Sequence, residues 1–129
     1  MSTVSYTHLD ANPVDGIESL GDLVSDMKAG KVDALLILGG NPVYDAPADF
    51  DFGPALLNVK LRLHSGLYYD ESGELCQWHV PATHYLESWG DARAYDGTIG
   101  IIQPLIAPLY EGCHSAYEIT ALLLSLIHI

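Results

Sequence analysis

Residues 31–47 read KVDALLILGGNPVYDAP. Val32, Ala34, Leu35, Leu36, Ile37 and Leu38 make a nearly unbroken apolar run, which stops at Gly39-Gly40-Asn41-Pro42. A short apolar run without alternation is the pattern of a strand covered on both faces, as in a parallel α/β sheet. The two glycines allow a tight turn or a close approach of backbone to a ligand. Asn41 is biased towards extended geometry by the proline that follows it, and Pro42 has no N–H to give to a ladder. The chain therefore leaves the sheet here. Ligands of open α/β sheets sit in the loops at the carboxyl ends of strands. The run predicts a central, buried strand over residues 32–38. Its exit loop (Gly39, Gly40, Asn41, Pro42) is either a ligand-facing turn or a plain way out of the sheet.

Working outward, residues 15–30 read as the preceding helix, because Ile17, Leu20, Leu23, Val24 and Met27 recur at helical spacing. Asp15 or Ser19 suits its cap, Lys28 suits its negative dipole end, and Gly30 is placed as the glycine that ends it. On the other side, residues 43–52 carry Asp45, Pro47, Asp49 and Asp51 and read as a surface loop. Residues 53–59 read as a short helix with Pro54 in its first turn. Residues 60–67 alternate, with Leu61, Leu63 and Ser65 on one side and Arg62, His64 and Gly66 on the other, which predicts a half-buried strand. Residues 69–75 are polar and turn-like, and residues 76–97 read as a long loop with short pieces of structure. Pro104 and Pro108 argue against a central strand over residues 98–109. A last helix spans residues 115–124, with Ser115 and Glu118 spaced as a capping box. The fold class expected is α/β, an incomplete Rossmann-like parallel-sheet domain with a long irregular loop region.

Composition narrows the function. The chain has 129 residues, room for one modest domain, and a formal net charge of −12 from five basic and seventeen acidic residues. Phosphate backbones need a basic footprint, so nucleic acid is not an expected partner. No apolar run approaches the ~20 residues of a membrane span. Cys76 and Cys113 form no CxxC pair, so neither points to a zinc or iron–sulfur site. His79, His84 and Glu87 look at first like metal ligands. Five residues separate the histidines with Pro81 between them, and a zinc-hydrolase helix needs its histidines four apart. No shared metal is expected there, and no activated nucleophile at Cys76 near His79, since nothing pre-orients the thiol and a reactive thiolate needs a supporting positive environment. Trp78, Tyr85, Trp89 and Tyr95 make the 76–97 stretch a candidate interface.

Two stretches taken together resemble a known family. KVDALLILGGNPVYDAP and WHVPATHYLESWGDARAYDGTIGIIQPLIAPLYEG are similar to the molybdopterin-oxidoreductase family, closest to the molybdopterin-like subunit of alternative complex III, a bacterial quinol:electron-acceptor oxidoreductase. Gly39, Gly40, Asn41 and Pro42 match its strand-end turn. Val80, Pro81, Glu87 and Gly90 match its later proline loop, followed by Gln103-Pro104 and Ala107-Pro108. The resemblance, which covers about residues 19–112, implies a nucleotide-binding-like domain from the middle of a longer subunit. It also implies iron–sulfur clusters held elsewhere in that subunit, with none here. The expected partners are the rest of that subunit and the other subunits of a membrane-associated respiratory complex, on its periplasmic face, and the expected role is structural. In a catalytic relative, residues 39–42 would instead contact a molybdopterin cofactor. The ends VSYTHLD and LSLIHI resemble translated sequencing adapters, so the domain is set at residues 12–121, with residues 1–11 and 122–129 expected to be foreign to it.

Overall fold

The structure is a computed structural model that describes residues 16–127. The α/β class holds. The first helix, α1, spans Gly16–Lys28 and turns its apolar face inward, burying Val24 and Met27. It ends as expected at Gly30: the N–H of Gly30 donates to Met27 O and that of Lys31 to Asp26 O, the paired bonds of a Schellman motif. Ser19 lies within the helix and does not cap it; Asp15 falls outside the described residues.

The sheet follows. Strand β1 is Ala34–Leu38, β2 is Leu61–Gly66 and β3 is Trp78–Pro81, all parallel in the order β1-β2-β3. The expectation of a central, doubly buried strand over residues 32–38 is therefore corrected. Among the described residues β1 is an edge, and only Ile37 in it is buried. The centre is β2, whose carboxyl half (His64, Ser65, Gly66) is fully buried rather than half-buried. An apolar run reports what faces a strand, and leaves open which strands flank it.

The connections are more ordered than their composition suggests. The stretch 43–52 is not a plain loop: it holds helix α2 (Pro42–Asp45) and a 3₁₀ turn over Ala48–Phe50. Helix α3 (Phe52–Leu56) follows, close to the short helix expected. The polar stretch 69–75 contains helix α4 (Glu71–Glu74), whose N-cap Asp70 accepts the N–H of Gly73 at 3.0 Å. Within 76–97, β3 is a true sheet strand, so Pro81 does not prevent a regular element. It stands last in an edge strand, where a missing N–H is tolerated. Strands β4 (Gly90–Arg93) and β5 (Ile99–Ile102) pair antiparallel as a separate hairpin that ends before Pro104. Helix α5 is Ala116–Ile127, continuous through residue 121.

The core lies between one face of the sheet and helices α1 and α3: Val24, Met27, Ile37, Phe52, Ala55, Leu56 and Val59. Burying a side chain of this size contributes about 1.5–3 kcal/mol. The opposite face, with Leu36, Leu61, Leu63 and Val80, meets Ile119, Leu122 and Leu123 of α5 across a cavity of about 390 Å³. Arg62 ties the layers by donating through Nε to Leu75 O and through Nη1 to Val59 O.

Candidate functional site

The expected site residues lie where the topology requires, at the carboxyl end of the sheet. Gly39 and Gly40 both have left-handed backbones, with φ of 73° and 74°, and nothing approaches where their Cβ atoms would be. The loop is stitched to α4 through Asn41. Its Nδ2 donates to Glu71 Oε2 at 2.6 Å, its Oδ1 accepts from Ser72 Oγ at 2.7 Å, and Ser72 Oγ accepts the N–H of Val43. A cleft of about 410 Å³ lies between this loop and the start of α1, bounded by Gly16, Ile17 and Leu20 on one side and by residues 39–42 and Asp45 on the other.

Beside the loop sits a pair the sequence reading did not bring together. Ile37, His64 and His79 are opposite one another on β1, β2 and β3, so their side chains share one face. His64 is wholly buried. Its Nδ1 is 3.0 Å from His79 Nδ1, and its Nε2 is 3.2 Å from the carbonyl oxygen of Gly40. A carbonyl only accepts, so in the neutral pair His64 carries its proton on Nε2 and accepts at Nδ1; His79 donates from Nδ1 and keeps a free lone pair on Nε2. Burial, and then the neighbouring histidine, hold the pKa of His79 below the ordinary imidazole value, with Asp70 pulling the other way. The carboxylate of Asp70 stands 3.8 Å from His64 Nε2, beyond hydrogen-bond reach. Two glycines make room for the rings. A Cβ on Gly66 would lie 2.8 Å from His64 Cε1, and one on Gly73 would lie 3.2–3.3 Å from both Nδ1 atoms.

This arrangement is a brace. It fixes the backbone of Gly40 to β2, and β2 to β3, through one chain of hydrogen bonds. It can take up one proton at His79 Nε2 with the N–H···N bond intact. A second proton would set two N–H groups against each other.

The other candidates separate. His84 does not join His79; it stacks on Tyr85 and accepts the N–H of Leu86 at Nδ1. Glu87 is buried and braces the irregular region, accepting the N–H of His84 at 2.9 Å and of Leu109 at 3.2 Å. Among the described residues no three His, Cys, Asp or Glu side chains converge to hold a metal ion. Cys76 packs against the core, and burial raises the pKa of its thiol. Cys113 is also a free thiol. It lines a cavity of about 400 Å³ with Glu87, Trp89, Asp91 and Glu118.

The aromatic residues of the second stretch are turned outward: Trp78, Tyr85, Trp89 and Tyr95 are all exposed. The hairpin adds Ile99 and Ile101, and the segment after it adds Leu105, Leu109 and Tyr110. None of the described helices is long and apolar enough to cross a membrane. The sequence matches no model of a known protein family and no curated protein.

Proposed function

We propose that the chain is a structural, assembly-serving part of a larger subunit related to the molybdopterin oxidoreductases, of the kind that works in a bacterial quinol:electron-acceptor oxidoreductase. Its partners are the rest of that subunit and its neighbours in a membrane-associated complex, on the periplasmic face. The observation that carries this reading is the apolar surface of residues 89–110. Ile101, on the two-stranded hairpin that joins no larger sheet among the described residues, is 78% exposed, and Trp89 just before it and Tyr110 in the segment after it are 62% and 75% exposed. An isolated two-stranded hairpin is marginal in water, and large contiguous apolar patches mark interaction surfaces. Aromatic anchors such as Trp89 carry much of the energy of such contacts.

The alternative reading, a pterin dinucleotide against residues 39–42, draws less support from the same loop. The pyrophosphate of that group is anionic and calls for Arg, Lys or a helix N-terminus. The charged residue lining the cleft is Asp45, and the amide of Asn41 is already engaged by Glu71 and Ser72. The start of α1 reaches the cleft, but among the described residues no basic side chain lines it, so the anion would meet Asp45 with only helix N–H groups to offset it.

The test uses the full-length subunit. Trp89→Ala is expected to reduce its incorporation into the complex, measured by co-purification, while Cys76→Ser leaves quinol oxidation intact. Normal assembly of Trp89→Ala together with loss of electron transfer in Cys76→Ser would overturn the scaffold reading.

A further inference from the structure

We propose that the edge of β1, unpaired among the described residues, is an interaction surface, and that it takes an extended segment of the parent subunit as a fourth strand running parallel to β1. This rests on reading the chain as part of a larger subunit, and it names how that subunit attaches.

The hydrogen-bond phase defines the surface. The N–H of Leu61 donates to Asp33 O at 3.0 Å, and the N–H of Gly39 donates to Ser65 O at 2.7 Å. In a parallel pair the residues that bond one neighbour alternate along the strand. Asp33, Leu35, Ile37 and Gly39 therefore face β2. The N–H and C=O groups of Ala34, Leu36 and Leu38 point away from the sheet, and such groups need partners when covered. Natural edge strands are blunted by lysine, proline or a bulge. The sequence of β1, ALLIL, has no such device.

The direction follows from where the chain enters α1. That helix begins beside residues 39–42, at the carboxyl end of the sheet, and packs on the same face as α3. The connection from β1 to β2 crosses that same face. Two crossovers of one hand over one face advance the sheet in one direction, and almost all such crossovers are right-handed. A strand leading into α1 then falls on the side of β1 away from β2, and runs parallel to it. A second copy of this chain fits less well. Two β1 edges related by a two-fold axis would pair antiparallel and bring together two chains that each carry a formal net charge of −12.

Residue-resolved amide exchange tests the proposal on the isolated chain and on the assembled parent complex. In the isolated chain the amides of Ala34, Leu36 and Leu38 should exchange freely while those of Leu35 and Ile37 are protected. In the complex the first three should slow by roughly 100-fold or more. Free exchange of these three in a complex that has assembled normally would overturn the proposal while leaving the assembly reading intact; failure to assemble at all would remove that reading instead. Protection already present in the isolated chain would also overturn it, with sedimentation separating a dimer from a monomer that covers its own edge. A variant adds a second arm. Ala34→Pro removes one outward N–H and no bond to β2, so the isolated chain should keep its fold, as edge strands tolerate proline. Its incorporation into the complex should fall about tenfold or more. Undiminished incorporation would show that the edge is not used.

Discussion

At the scale of single residues, the His64–His79 contact makes stability depend on pH in a definite direction. The folded state holds His79 below its ordinary pKa of 6.5, so between the folded value and 6.5 the unfolded chain binds more protons. The contribution is fully present above about pH 6.5 and is lost as pH falls through the folded value. Urea midpoints measured from pH 7.5 to pH 5 should therefore decline, and the decline should be shallower in His79→Ala. That variant should also be weaker at pH 7.5 by about 1–3 kcal/mol, because the buried Nδ1 of His64 loses its donor. Gly66→Ala probes the room the ring needs. Its Cβ would stand 2.8 Å from a wholly buried ring, and overpacking of this kind costs about 1–3 kcal/mol, read as a lower melting temperature. The pair was hidden in the sequence because its members are 15 residues apart and meet only through the β2–β3 register. Alternation already placed His64 on the face of Arg62; what was missing was the strand that carries His79.

At the scale of elements, the sequence was most informative where one signal dominated. The apolar spacing of α1, its Gly30 stop and the Ser115/Glu118 box all appear in place. In that box Ser115 N and Oγ both donate to Glu118 Oε2, at 2.7 and 2.9 Å, and Glu118 N donates back to Ser115 Oγ at 3.2 Å. Ser115→Ala should cost about 1 kcal/mol in chemical denaturation. The bonds from Ser115 lower the pKa of Glu118, so this cap is at full strength above about pH 4.5 and fades as the pH falls further. The short elements were illegible for a different reason. Helices α2 and α4 are each four residues long, and the Pro42 and Asp45 of the one and the Ser72 and Gly73 of the other are turn residues. Two things hold α4: the local cap by Asp70, and the long-range grip of Asn41 from the β1 loop on Ser72 and Glu71. Strand β3 was masked by Pro81, whose cost vanishes at the end of an edge strand.

At the scale of the whole molecule, two opposed features set its behaviour in solution. The net charge of −12 keeps copies apart, and the exposed Trp89, Ile99, Ile101 and Leu105 draw them together. The isolated chain should bind a hydrophobic dye, and its self-association, followed by light scattering, should rise as salt increases from about 0.01 to 1 M and shortens the screening length. Association insensitive to salt would mean that charge does not hold the patch in check. The parallel class could be read from residues 31–47; the location of the centre could not, because only the pairing partners decide it. The order β1-β2-β3 also has a kinetic consequence. Chain closure for the β2–β3 pair spans about 15 residues, as between His64 and His79, whereas β1 and β2 meet across 27, as between Asp33 and Lys60. Shorter loops lose less entropy on closing. The later strands should thus zip first, around the two imidazoles, and β1 should dock onto a template that synthesis completes only after it.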